Sequence, residues 1–438
     1  MHKLIINKLG PIERCELECS HFMTFTGFQA SGKSTIAKAI YFFRTIKEDI
    51  LNLAKTQAFH TTPIAGMNTD YNVIYGNNLK KGLENYLREK FLQTFGSSWG
   101  MSNEMFMEYF FTDTCYVRIS LIEEKNFESP NYLWITLSAD LIHFLHDKNK
   151  YFSCTPLGIQ ENELRQFNAE LHKLFADQCS VVYIPAGRSM ITLLSQQLNY
   201  IYATMDDTQK RMLDYCTKDY LERILRVKSA FSEGLQGLTA YSTGNNALKS
   251  KPVKQALKLI QNILMGTYRW SNGEDQIVLE NGKYVKLNFA SSGQQECVWI
   301  LNLLFYHLLQ QTPTLFIIEE PESHLFPESQ KYITELIALV SNNSHSVVLT
   351  THSPYVLGTL NNLLYANSLS ERYSNKADDI IPQLLWLDYK KFSSWFVKKG
   401  GVEYCMDAET QMIQNEKIDE ISKVINLEFD NLLDLQTF

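Results

Sequence analysis

Gly27-Phe28-Gln29-Ala30-Ser31-Gly32-Lys33-Ser34 is the stretch from which the rest of this 438-residue chain can be read. Glycine, four residues, glycine, lysine and then a hydroxyl side chain is the spacing of a phosphate-binding loop. The run Phe22 to Thr26 before it reads as a short strand, and the apolar-periodic run from Ser34 to about Phe43 reads as a helix. Strand, glycine loop and helix in that order is the context the motif requires. Gly27 and Gly32 let the backbone aim amide N–H groups at phosphate oxygens, and the helix N-terminus adds its partial positive charge. Lys33 is placed to reach the β- and γ-phosphates and the Ser34 hydroxyl to ligate Mg²⁺. Ala30, Ser31 and Thr35 complete the expected lining, and the expected ligands are ATP and Mg²⁺.

Three further elements carry chemistry. Leu315-Phe316-Ile317-Ile318-Glu319-Glu320 is an apolar strand that ends in two carboxylates. Such a strand end places one acid at the Mg²⁺ shell and the next beside an attacking water, which assigns the metal side to Glu319 and the water-orienting or general-base role to Glu320. Ala290-Ser291-Ser292-Gly293-Gln294 is a Ser/Gly turn that opens a helix. His352 follows the continuous apolar strand Ser346 to Thr350, some thirty residues after the two acids.

In the order P-loop, Ser/Gly turn, acidic strand and histidine, these elements resemble the ABC ATPases of the SMC and RecF branch. The resemblance is sharper to the OLD-like ATPases, including ATPase subunits of bacterial anti-phage systems such as Septu and PARIS. It is carried by Asn7-Lys8-Leu9-Gly10-Pro11-Ile12, by Tyr183-Ile184-Pro185-Ala186-Gly187-Arg188, and by Glu319-Glu320-Pro321-Glu322-Ser323-His324-Leu325-Phe326-Pro327, and it covers roughly residues 1–45 and 180–360. Glu319 stands where the family usually has aspartate, and Ala290 and Ser292 depart from its usual Leu-Ser-Gly-Gly-Gln. The resemblance implies that Ser291, Ser292, Gly293 and Gln294 form a signature loop that caps the γ-phosphate held by a second protomer, and that His352 senses that phosphate. It implies an ATP-hydrolysing switch that works as a homodimer or higher homo-oligomer. The expected role is the sensor or regulatory subunit of an anti-phage defence complex that controls an effector protein in trans. The alternative is a DNA-binding RecF- or SMC-like repair ATPase, or a nucleotide-gated scaffold with slow turnover. Arg188 contacts nucleotide or a partner protomer, or else pairs with an acidic neighbour in its own fold. His324 belongs to a variant D-loop at the dimer interface, or simply to a surface helix start.

Composition limits the other classes. With 45% hydrophobic and 20% charged residues the chain is a folded protein, and its net charge of −7 argues against a uniformly basic nucleic-acid coat. No apolar run approaches the roughly 20 residues that span a bilayer, and the start turns polar at Asn7, too soon for a signal peptide. A cytoplasmic protein without a membrane partner is expected. Cys15, Cys19, Cys115, Cys154, Cys179, Cys216, Cys297 and Cys405 show no CxxC spacing and are expected to be reduced. Glu280 and Lys283 have a nuclease-like spacing, but the hairpin turn Asn281-Gly282 accounts for it better. His143 and His146 have no adjoining ligand cluster.

The expected fold is α/β: an ABC-ATPase head with a mixed sheet and P-loop, a largely helical insertion and no long coiled coil. Residues 1–45 and 180–370 form the expected core, with a helical lobe at about 190–265. Residues 46–179 form the insertion, and 371–438 a C-terminal segment with an acidic tail. In the tail, Ile418, Ile421, Val424 and Ile425 share one helical face that either packs on its own domain or docks an effector. At the start, strands are expected at Lys3 to Lys8 and Phe22 to Thr26, with the turn Gly10-Pro11 between them.

Overall fold

The computed structural model describes residues 2–60, 78–97, 100–122, 132–153, 161–192, 214–243, 250–414, 424 and 426–432. Strands β1 (Lys3–Leu9) and β2 (Ile12–Glu18) form an antiparallel hairpin, and β3 (Phe22–Gly27) follows. The first helices are α1 (Lys33–Arg44), α2 (Ile46–His60) and α3 (Leu79–Phe95). Next come β4 (Phe106–Phe110), β5 (Tyr116–Ile122), β6 (Tyr132–Leu137), α4 (Ala139–Ser153), α5 (Glu161–Leu174) and β7 (Ser180–Ile184). Helices α6 (Tyr215–Val227), α7 (Gly234–Thr243) and α8 (Lys251–Leu264) lead to a three-stranded meander of β8 (Thr267–Ser271), β9 (Glu274–Val278) and β10 (Tyr284–Lys286). The chain continues through α9 (Ser292–Gln310), β11 (Thr314–Glu319), α10 (Pro327–Ser341), β12 (Ser346–Thr350), α11 (Pro354–Ser368) and α12 (Ser370–Ile380). It closes the sheet with β13 (Phe392–Lys398) and β14 (Gly401–Tyr404).

The central sheet has six strands in the order β14-β13-β3-β12-β11-β7, and all but β14 run parallel. Its strands are apolar without alternation because both faces are covered. In β11, Phe316 and Ile318 pack into one hydrophobic core, whereas Leu315 and Ile317 pack into the other. Residues of α8 to α11 build the first core, and those of α1 to α3 with the five-stranded sheet build the second. This is a mixed α/β fold, and α9, with 19 residues, is its longest described helix. Among the described residues no helix is long and apolar enough to cross a membrane.

The structure departs from the sequence reading in three places. Strand β2 was not anticipated, because its buried residues Ile12, Cys15 and Leu17 are interleaved with charged ones and lack strict alternation. The insertion is helical at both ends, but β4, β5 and β6 join β1 and β2 in one antiparallel sheet, with Lys3 opposite Phe110. Past residue 370, β13 lies beside β3, with Phe22 opposite Phe392, so the expected boundaries at 45 and 370 are both crossed by strand pairing. In the tail, Ile418, Ile421 and Ile425 lie outside the described residues, and Val424 is exposed. Cys15, Cys19, Cys115, Cys179, Cys216 and Cys297 are free thiols.

A buried ion cluster fastens the second core. Asp177, just before β7, accepts two bonds from Arg44 at the end of α1, at 2.8 and 2.9 Å, and meets Lys47 of α2 at 2.7 Å. Burial pushes the Asp177 carboxyl up, but the two cations outweigh that and hold it down at about 2. Removing one partner from a buried ion pair leaves uncompensated charge and costs about 3–5 kcal/mol. Asp177→Asn should therefore lower the unfolding free energy at neutral pH by about that amount in urea denaturation. A depressed carboxyl contributes stability above its unfolded pKa and loses it as pH falls through the folded one. The difference between variant and parent should persist to about pH 4 and shrink between there and about pH 2.

Candidate nucleotide site

Four neighbouring parallel strands end at one edge of the sheet, and each delivers one of the segments singled out in the sequence. Strand β3 leads into Gly27–Ser34, β12 into Thr351–Ser353, β11 into Glu319–Glu320 and β7 into Pro185–Arg188. The registers Glu319 opposite Thr350 and Thr350 opposite Phe25 bring three of those ends level. In open parallel sheets, ligands bind in the crevice at such carboxyl ends.

The phosphate loop is shaped by its neighbours. Gly27 has φ 142°, and a Cβ there would lie 2.1 Å from the Val397 carbonyl oxygen, because β13 runs directly beside it. Lys33 is buried, and its Nζ donates to the carbonyls of Gly27 at 3.1 Å and Phe28 at 2.8 Å. Burial lowers the Lys33 pKa, against the charges of Glu320 and Glu322, which raise it. Helix α1 starts at a left-handed Gly32 with no side chain capping it, so its first amides are offered at the mouth of the loop. Ala30 is left-handed at φ 57°, Ser34 is exposed and Thr35 is half-buried. Exposed Phe28 stands edge-on to Phe396 of β13.

The two acids differ in setting. Glu319 is buried, and its Oε2 accepts the Ala186 N–H at 3.2 Å while Oε1 makes no hydrogen bond. Glu320 is half-buried, takes a left-handed φ of 42°, and has Oε1 3.4 Å from His352 Nε2. The Ser323 hydroxyl donates to its other oxygen at 3.3 Å. The His352 hydrogen bond, aided by the His352 charge and Lys33, holds the Glu320 carboxyl below its ordinary range against the effect of burial. A third carboxylate, Glu322, was not expected as a site residue. It is buried, accepts from the Thr351 hydroxyl at 2.6 Å and the His352 N–H at 2.8 Å, and so fixes the loop that carries the histidine. Burial pushes its pKa up. The signal was the third acid in Glu319-Glu320-Pro321-Glu322, but its partners lie thirty residues on.

Arg188 resolves to the second of its two readings: it is fully buried and pairs with Glu296 of α9 at 3.2 Å. The signature residues sit apart from the phosphate loop. Ser291 is the N-cap of α9 and forms a capping box with Gln294, and Gln294 also donates to the Leu264 carbonyl at 2.7 Å. Ser291 and Ser292 are exposed. A Cβ on Gly293 would come within 2.8 Å of the His324 carbonyl, so this helix start is pressed against the turn after Glu320. His324 itself is exposed and left-handed at φ 61°. Among the described residues, no hydrogen bond or ion pair joins residues 291–294 to the phosphate loop.

A family profile described as an AAA ATPase domain matches residues 1–357. The chain belongs to that family. ATP with Mg²⁺ is typical of such ATPase domains. No curated protein sequence matches the chain. Among solved structures it is similar to an SMC head bound to the C-winged helix domain of ScpA, with 11% identity, a TM-score of 0.41, and 94% of this chain and 99% of that one covered. It is also similar to the SMC head domain from Thermotoga maritima, with 14% identity, a TM-score of 0.35, and 92% and 97% covered. A third likeness is to an SMC head with an extended coiled coil bound to the C-terminal domain of ScpA, derived from Pyrococcus furiosus, with 12% identity, a TM-score of 0.36, and 97% and 100% covered. All three likenesses are remote.

Among the described residues no cluster of three or more His, Cys, Asp or Glu is arranged to hold a metal ion. Mg²⁺ commonly takes only one or two protein oxygens beside substrate phosphates. The unbonded buried Oε1 of Glu319 and the exposed Ser34 hydroxyl at the helix start fit that need. His352→Ala removes the hydrogen bond that lowers the Glu320 pKa, so the carboxylate should protonate at higher pH. Steady-state ATPase rates measured from about pH 4 to pH 8 should show the acid limb of kcat moved upward in the variant. An unmoved limb would dissociate His352 from Glu320.

Proposed function

We propose that this AAA-family ATPase binds and hydrolyses ATP with Mg²⁺ as a switch, that it works as a homodimer or higher homo-oligomer with composite sites, and that it regulates an effector protein in trans as the sensor subunit of an anti-phage defence complex. The observation that carries the ATPase part is the convergence of the phosphate loop, Glu319, Glu320 and His352 at the ends of adjacent parallel strands. Lys33, now satisfied by two loop carbonyls, exchanges them for phosphate oxygens on binding, and the uncapped start of α1 adds its amides. Glu319 and Ser34 are the residues that would hold Mg²⁺, which supplies neutralisation of phosphate charge. Glu320, kept ionised by His352, accepts the proton of the attacking water.

The composite site is supported by the placement of Ser291, Ser292, Gly293 and Gln294, which open a helix at the surface without reaching their own phosphate loop. Phe289 and Phe326, 80% and 74% exposed, flank this start and the turn against it, as a face covered by a second copy would require. The regulatory role is supported by the resemblance carried in Tyr183–Arg188 and Glu319–Pro327 to OLD-like ATPase subunits.

Lys33→Ala should lose ATP binding. Glu320→Gln should keep ATP, lose turnover by about 10²- to 10⁴-fold, and accumulate an ATP-dependent dimer in light scattering. Normal turnover in Glu320→Gln, or full activity of the parent from a strict monomer, sinks the corresponding part. Stimulation by duplex DNA ends would favour the repair-type alternative. For the effector, the truncation must spare residues 405–414, because Cys405, Met406 and Ile413 are buried and Asn361 bonds Ile413 through both its amide atoms. Deletion of residues 415–438 should leave ATP hydrolysis intact and abolish association with the co-purifying effector. Retained association moves the docking surface elsewhere.

A further inference from the structure

Arg188 lies at full burial where three elements meet. A guanidinium carries five N–H donors in a fixed plane. Four of them donate to backbone carbonyls here. Nε donates to the Glu296 carbonyl at 3.1 Å, Nη1 to the carbonyls of Pro185 at 2.5 Å and Glu319 at 2.6 Å, and Nη2 to the Glu320 carbonyl at 2.9 Å, with the Glu296 carboxylate at 3.2 Å. The same carboxylate accepts the N–H groups of Arg188 and Ser189 at 3.0 and 2.7 Å. Pro185 follows β7, Glu319 and Glu320 end β11, and Glu296 lies about one turn into α9, the helix that begins at the signature serines.

This position matters because of Glu320. Its left-handed φ of 42° is one that a non-glycine residue holds only when its surroundings over-determine it. Besides the bond from the Ser323 N–H to its carbonyl at 3.1 Å within the turn itself, two contacts do so: its N–H donates to the Thr350 carbonyl of β12 at 3.0 Å, and its carbonyl accepts from Arg188. The first contact belongs to the sheet. The second leads, through Glu296, to a helix.

We infer that Arg188 is a positioning residue for Glu320, and that the Arg188–Glu296 pair makes the orientation of that carboxylate depend on where the signature helix sits. A shift of α9 moves Glu296 and carries the guanidinium with it, so the Glu320 carbonyl bonded to it moves relative to β12 and His352. Engagement of the signature loop by a second protomer is in this way read at the base of each protomer's own site. The inference rests on the reading of Glu320 as the base and of residues 291–294 as the shared loop.

The test uses the full chain with Arg188→Lys, which keeps the charge but loses the planar fork, and Glu296→Gln, which keeps the shape and loses the charge. ATP affinity is measured by calorimetry and turnover at saturating ATP. Both variants should bind ATP within about threefold of the parent and lose at least tenfold in kcat, and adding either change to Glu320→Gln should cost nothing more, since a residue acting through another is non-additive with it. A residue that only holds the fold would lower melting temperature and ATP affinity together and leave kcat of the folded fraction unchanged, which would overturn the inference. If Arg188→Lys fails to fold, Glu296→Gln and the charge-retaining Glu296→Asp give the same split. Turnover retained in Glu320→Gln alone would remove the base assignment itself. Turnover lost there but kept in the Arg188 and Glu296 variants refutes only the coupling.

Discussion

Everything at the candidate site depends on β11 being buried on both faces. A strand whose alternate residues enter two different cores has no freedom to slip, because a shift of one residue exchanges Phe316 and Ile318 with Leu315 and Ile317 between them. That fixes Glu319 opposite Thr350, and hence both acids against the loop that carries His352. The same argument holds for β7, where Val182 and Ile184 face one core and Val181 and Tyr183 the other. Apolar strands therefore act as rulers, and the polar chemistry is confined to where they end.

What was legible in the sequence follows from this. The phosphate loop, β11, β12, α9 and the Asn281-Gly282 hairpin were read because each is a local pattern, set by residues a few positions apart. The antiparallel sheet was not, since β1 pairs with β4 across about a hundred residues and neither strand names its partner. The place of β13 was hidden in the same way, although Gly27 carries a trace of it: only glycine tolerates the Val397 carbonyl so close. Among the candidate site residues, Lys33, Glu319, Glu320 and His352 were singled out by motif spacing, whereas Glu296 and Glu322 were not. Their importance lies in which distant groups they accept from, and charge alone does not reveal it. Arg188 stood between, and its complete burial decided the matter.

The signature turn shows how a bland role and a functional one coexist. Ser291 caps α9, as any serine before a helix does, and its hydroxyl is engaged with Gln294. Capping satisfies the Gln294 amide, while the first turn of a helix presents further N–H groups with no partner inside the helix. The exposed start at Ser291 and Ser292 is thus left facing outward with a dipole suited to an anion. Local stability requires the cap, and the proposed second protomer requires what the cap leaves open.

Three carboxylates within four residues would repel one another strongly if they shared one environment. The fold separates them. Glu319 turns to the Ala186 amide, Glu320 to His352 near the surface, and Glu322 inward to Thr351 and the His352 backbone. The pKa values of Glu320 and Glu322 are driven apart accordingly, the first lowered by its histidine and the second raised by burial. Acid and base roles are commonly told apart by such divergence between neighbours. Here it leaves Glu320 as the ionised group nearest solvent and Glu322 as the strut behind its histidine, so the sharp turn at Glu320 is the step by which one acidic run serves two ends. A straight continuation of β11 would have put the Glu319 and Glu320 carboxylates on opposite faces of the sheet, and the left-handed backbone at Glu320 departs from that path.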